Sequence, residues 1–177
     1  MLEDAAHARA RGARAWARVL GTGTATDAHH PTAPHPEGAG ALAALRAALA
    51  AAALPPTAID YVNAHGTGTL QNDVVEMAVL AAALGPHRAR IPVSSTKSQI
   101  GHTLGAAGAL EAVASVLALD GGILPPTLGL REPDPAWADV DLVTTPGRRA
   151  SIAVAVTSSF GFGGHNVTLV LGRAEAP

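Results

Sequence analysis

Leu42, Leu45, Leu49 and Ala53 recur at the spacing of one helix face, and Pro55-Pro56 closes that segment. The same period returns over 73–84, where Val75, Val79 and Leu80 share a face and Gly85-Pro86 follows as a terminator. A third helix is predicted over 105–119, with unusually small side chains at its start. Between these the pattern changes to short apolar runs. Residues 15–22 alternate around Trp16, Val19 and Leu20, and 59–63 and 91–94 fit short strands. The β-branched runs 152–158 and 167–171 are separated by Gly-rich 161–164, which predicts a hairpin or a neighbouring pair. Residues 2–11 read as a short helix stopped by Gly12, 28–40 with its three prolines as a loop, and Gly21-Thr22-Gly23-Thr24 as a turn. This alternation predicts an α/β domain, a mixed five-stranded sheet with helices on its faces. Strands such as 152–156 are apolar on both faces and need cover that the chain alone is expected to lack.

Composition narrows the function classes. The 177 residues suffice for one domain with a core, and 48% of them are hydrophobic. A formal net charge of −2, with basic residues scattered singly, gives no footprint for nucleic acid or an anionic membrane. With no cysteine, a disulfide scaffold, a thiolate metal site and a cysteine nucleophile are all excluded from these residues. The start lacks the basic and apolar regions of a signal peptide, and alanine-rich 39–54 is interrupted by Arg46 and shorter than the about 20 residues of a membrane span. A cytoplasmic chain is the expectation. One lysine, Lys97, stands beside eleven arginines; the phenylalanines are Phe160 and Phe162, and the asparagines Asn63, Asn72 and Asn166. Nearly all of these rare residues fall in a few short segments.

Those segments are the candidate chemistry. Asn63-Ala64-His65-Gly66-Thr67-Gly68-Thr69 follows a predicted strand, where a histidine flanked by glycine projects into the crevice in which α/β folds bind ligands. Thr67 and Thr69 could bind a ligand amide or close turns. Ser94-Ser95-Thr96-Lys97-Ser98-Gln99-Ile100-Gly101-His102 again follows a strand and leads into the small-sided helix. Asp73 and Glu76 share one side of a helix, in reach of capping, ion pairing or acid–base work; Glu76 is the expected partner of Lys97. Ser158-Ser159-Phe160-Gly161-Phe162-Gly163-Gly164-His165-Asn166 carries glycines that permit a mobile loop, without the Gly-Lys-Ser/Thr of a phosphate loop. His29, His30 and His35 fit no usual metal spacing, and no metal site is expected.

Together these segments resemble the beta-ketoacyl-ACP synthases, condensing enzymes of the thiolase fold. Asn-Ala-His-Gly-Thr-Gly-Thr, Lys-Ser-x-x-Gly-His-x-Leu-Gly-Ala-Ala-Gly and Ser-Phe-Gly-Phe-Gly-Gly stand in family order and spacing, with Leu124-Pro125-Pro126-Thr127 and 27–40 matching intervening loops. The details are similar to a discrete (type II) elongating synthase. The resemblance implies the C-terminal half of a thiolase-like fold: 1–24 as the last helix and strand of an otherwise missing N-terminal half, and 25–177 as the C-terminal half-domain. It implies decarboxylative Claisen condensation of malonyl-ACP with an acyl thioester in fatty acid or polyketide synthesis. His65 and His102 would be the oxyanion donors, and Lys97, paired with Glu76, their electrostatic support. Thr67 and Thr69 resemble pantetheine-binding threonines, and Phe162 a gate residue moved on Gly161, Gly163 and Gly164, beside Phe160. The family's nucleophilic cysteine lies in its N-terminal half, so the chain is expected to be inactive alone. The implied partners are an acyl carrier protein, a Cys-bearing half and a homo- or hetero-dimer mate. No cofactor is expected, since phosphopantetheine arrives on the carrier. A non-catalytic chain-length-factor-like subunit, a malonyl decarboxylase and an inactive gene fragment are the alternatives.

Overall fold

The computed structural model describes residues 1–174. In chain order the helices are α1 (Ala5–Ala10), α2 (Ala39–Ala51), α3 (Leu70–Leu84), α4 (Lys97–Ile100) and α5 (Ala107–Gly121). The strands are β1 (Ala17–Thr26), β2 (Tyr61–Asn63), β3 (Pro92–Ser94), β4 (Ile123–Leu124), β5 (Asp141–Leu142), β6 (Arg148–Arg149), β7 (Val154–Gly161) and β8 (His165–Arg173). Six of them form one sheet in the order β1-β8-β7-β2-β3-β5, and β4 and β6 form a small antiparallel pair. β7, β2, β3 and β5 run parallel; β8 and β1 continue the sheet antiparallel. This is a mixed α/β sheet with helices on both faces.

Strand alternation sorts the core. Val62, Val93, Val156 and Val170 point to the face covered by α2 and α3, where Leu45, Leu49, Val79 and Leu80 are also buried. Tyr61, Ala155 and Leu171 point to the other face, under Ala118 and Leu119 of α5. Each such buried aliphatic side chain contributes about 1.5–3 kcal/mol. β7 is therefore covered on both faces by the chain's own helices, contrary to the cover expected to be lacking at 152–156. The uncovered apolar surface lies one layer further out. Leu110, Val113 and Leu117 of α5, at helical spacing, are exposed.

Two further expectations change. Gly21-Thr22-Gly23-Thr24 is no turn; it lies within β1, paired with Val170, Leu169, Thr168 and Val167 of β8. The glycines serve packing. A Cβ on Gly21 would sit 2.4 Å from the Ala48 carbonyl oxygen, and one on Gly23 2.0 Å from that of Ala44. Strand and α2 thus approach closer than any side chain allows. The sheet also has six strands instead of five. The extra one, β5, has two residues held by pairing with Pro92 and Val93, too few to leave a periodic signal.

Candidate active site

β2 ends at Asn63, and the chain runs through Ala64 to His65, which is only 5% exposed. Glu76 of α3 fixes this bend from below: one carboxylate oxygen accepts the His65 N–H at 2.7 Å and the other the Gly66 N–H at 2.8 Å. Asn72, one helical turn earlier, donates to the same carboxylate at 3.3 Å. Gly66 has φ +36°, and a Cβ there would meet the Ser95 side chain at 2.5 Å, so the bend needs glycine. Burial pushes the Glu76 carboxyl up to about 7, against the pull of its two backbone donors.

Lys97 comes from the neighbouring parallel strand: it begins α4, just after β3. Its Nζ lies 3.1 Å from His65 Nδ1 and 2.5 Å from the His65 carbonyl oxygen, and it forms a buried ion pair with Glu111 of α5. Glu111 in turn accepts a hydrogen bond from Ser159 at 3.1 Å. The expected Lys97–Glu76 pair is therefore corrected. Glu76 spends both oxygens on the backbone of 65–66, and Glu111 is the lysine's partner. A signal for Glu111 was present, because it is the one charged residue between 105 and 119.

An ammonium has only hydrogens to give, so Nδ1 of His65 accepts and its ring proton sits on Nε2. Burial first, then Lys97 and His102, hold the imidazole far below its ordinary value, at about 3. His65 is neutral. His102 is set the same way by backbone: the Leu104 N–H donates to its Nδ1 at 3.3 Å. Leu104 makes this possible by adopting φ +53°, a left-handed conformation that costs a non-glycine residue about 1–3 kcal/mol and that clusters at functional sites. The two rings stand 5.5 Å apart and nearly perpendicular, and Phe160 packs 5.1 Å from His65 on another side. Two imidazoles, each accepting at Nδ1, thus stand side by side and are fixed by unrelated means.

The remaining candidates lie around this pair. Thr67 and Thr69 hydrogen-bond each other at 2.8 Å on the exposed turn before α3. Phe160 is half-buried against the core, whereas Phe162 is 72% exposed in the β7–β8 turn, whose Gly163 and Gly164 have positive φ; Gly161 does not. That turn is tied to the proline-rich loop. Gly163 N–H donates to the Pro31 carbonyl at 2.7 Å, and Asp27 N–H to that of Gly164 at 2.8 Å. Among the described residues, no three His, Asp or Glu side chains gather where they could hold a metal ion.

The family model for the beta-ketoacyl synthase C-terminal domain matches residues 16–131, about two thirds of the chain. The chain belongs to the beta-ketoacyl synthase family. It is 47% identical over 175 residues to 3-oxoacyl-(acyl-carrier-protein) synthase 2 of Synechocystis sp., covering 99% of this chain and 42% of that protein. It is 45% identical over 171 residues to an oxytetracycline polyketide putative beta-ketoacyl synthase 1 of Streptomyces rimosus, covering 97% and 40%. A solved type II PKS acyl-carrier protein in complex with its ketosynthase superposes with a TM-score of 0.93 at 33% identity, covering 98% of this chain and 42% of that one. The chain thus spans about two fifths of the length of these ketosynthase relatives, and its thiolase-like fold is theirs.

Proposed function

We propose that this chain supplies the malonyl-activating half of a ketosynthase that performs decarboxylative Claisen condensation in fatty acid or polyketide synthesis. The observation that carries the reading is the pair of imidazoles, each with Nδ1 occupied by a donor and Nε2–H free. When the bond from the malonyl α-carbon to its carboxylate breaks, the electron pair becomes an enolate with its charge on the thioester oxygen, and carbon dioxide leaves. His65 and His102 donate to that oxygen as an oxyanion hole. A donor already oriented needs no reorganisation as charge develops. The enolate carbon then attacks an acyl thioester, and the cysteine thiolate that held the acyl group departs. That cysteine must come from outside these 177 residues, which contain none. Lys97, held by Glu111, fixes the His65 tautomer, and Glu76 fixes the backbone beneath it.

The malonyl group arrives on the phosphopantetheine arm of an acyl carrier protein. Of the two hydroxyl protons of Thr67 and Thr69 one serves their mutual bond, which leaves the other for an amide of the arm. The complex of a related ketosynthase with its acyl-carrier protein supports that partner. A second reading is malonyl decarboxylation without condensation, which needs the two imidazoles but no nucleophile.

The test uses this chain with a Cys-bearing ketosynthase half, labelled malonyl-ACP and acyl-ACP. His102→Ala should lower carbon dioxide release by about 10²–10³-fold, the ordinary loss for one oxyanion donor, while acylation of the partner cysteine persists. Undiminished decarboxylation would overturn the assignment. Carbon dioxide release by the unaltered pair without ketoacyl product would favour the decarboxylase.

A further inference from the structure

The prolines at 31, 34 and 36 deny the 27–38 loop a regular element, so its backbone N–H groups find partners in side chains. Two of those partners are imidazoles. His30 Nδ1 accepts from the N–H groups of Thr32 and Ala33, both at 3.1 Å, and His35 Nδ1 accepts from that of Glu37 at 3.1 Å. Asp27 closes the base of the loop: one carboxylate oxygen accepts from His35 N–H at 3.0 Å and the other from Asn166 Nδ2 at 2.8 Å. Beside it Ala28 is held at φ +49°, a conformation that persists only where the surroundings impose it. The hydrogen bonds from Gly163 to Pro31 and from Asp27 to Gly164 join this loop to the Phe162 turn.

We propose that the 27–38 loop is a pH-sensitive latch: protonation of His30 and His35 releases it, and with it the turn that carries Phe162. An imidazole accepts at Nδ1 only while that nitrogen keeps its lone pair. The imidazolium places a hydrogen there, and the three backbone donors then face a fourth and a fifth donor instead of acceptors. Histidine is the side chain that ordinarily makes this change between about pH 5 and 8. The other ionisable groups at the loop are few. His29 stands 5.1 Å from the His35 ring, Asp27 and Glu37 belong to the loop, and His165 lies beside Gly163 in the β7–β8 turn. α3 faces the loop with Leu70, Gln71, Val74 and Val75, none of them ionisable. Of these only Gln71 carries a side-chain acceptor, one amide oxygen against the three backbone donors that lose theirs.

The latch is tested by amide hydrogen exchange on the full chain at about pH 7.5 and about pH 5.5, on either side of the ordinary histidine range, each corrected for the intrinsic rate. The Thr32, Ala33, Glu37 and Gly163 amides should lose about tenfold in protection at the lower pH, the order expected when ordinary hydrogen bonds are lost. Val156 and Val170, in the core, should not change. In the double variant His30→Asn, His35→Asn the amide oxygens can accept the same backbone donors, as in an Asx-turn, and do not titrate. Its loop protection should be independent of pH. Equal protection at both pH values in the unaltered chain overturns the latch. So does a pH dependence that survives in the double variant, or core amides that open in parallel with the loop. The readout is backbone opening alone, so its failure leaves the ketosynthase reading untouched, and the reverse also holds.

Discussion

At the scale of single residues, the site turns on where protons sit. His65 keeps a neutral ring because its folded value of about 3 lies far below the ordinary 6.5. Between those values the unfolded chain binds a proton that the folded chain refuses, so this group's contribution to stability falls as pH drops from about 6.5 to about 3. Glu76 works in the opposite sense. Folded, it holds its proton up to about 7, whereas unfolded it loses it near 4.5, so its contribution falls as pH rises through that window. The His65 ring nitrogens should therefore keep the 15N shifts of a neutral imidazole between about pH 5 and 8; a change to imidazolium shifts inside that range would refute a neutral ring, whereas a small inflection near 7 reports Glu76. The two phenylalanines also separate at this scale. Phe162 is largely exposed, so Phe162→Ala should lower stability by less than about 1 kcal/mol in chemical denaturation, far below the about 3–5 kcal/mol of a buried Phe→Ala change. It should still alter condensation rates if the residue gates the pocket. A loss in the core range would make it a packing residue.

At the scale of elements, close approach decides the geometry. β1 can lie against α2 because Gly21 and Gly23 put no side chain between strand and helix. Gly23→Ala should cost about 1–3 kcal/mol or more, as overpacking does, measured by the denaturation midpoint at constant slope. A neutral outcome would mean that the helix can move away freely. β2 and β3 are only three residues each, yet they deliver His65 and Lys97 because parallel neighbours end on the same side of a sheet. Two helices carry the rest: α3 sets Glu76 beneath the 65–66 bend, and α5 sets Glu111 behind Lys97. The main helices and strands were legible because their period is long enough to count, whereas β4, β5 and β6 rest on two-residue pairings that no pattern announces.

At the scale of the whole molecule, both faces of the sheet are covered, but α5 presents a second apolar face of Leu110, Val113 and Leu117 to solvent, with Leu104 and Ile100 near its start. Soluble monomers seldom leave such a surface open. The purified 177-residue chain should sediment as an oligomer. The double substitution Val113→Lys, Leu117→Lys places charge on that face and should shift the chain toward monomer. A clean monomer before substitution would show that the face needs no cover. The sequence by itself determined the family, the α/β alternation, and the candidate site residues His65, His102, Lys97 and Phe162. These are local facts, encoded in spacing along the chain. Tertiary structure decided the partnerships. Lys97 and Glu76 both serve His65, yet they do not pair, because Glu76 reaches the strand end from α3 while Lys97 is met by Glu111 from the opposite face. It also decided that Gly21 to Thr24 is strand, since the reason for those glycines is the backbone of α2, and contacts across such distances along the chain leave no mark in periodicity.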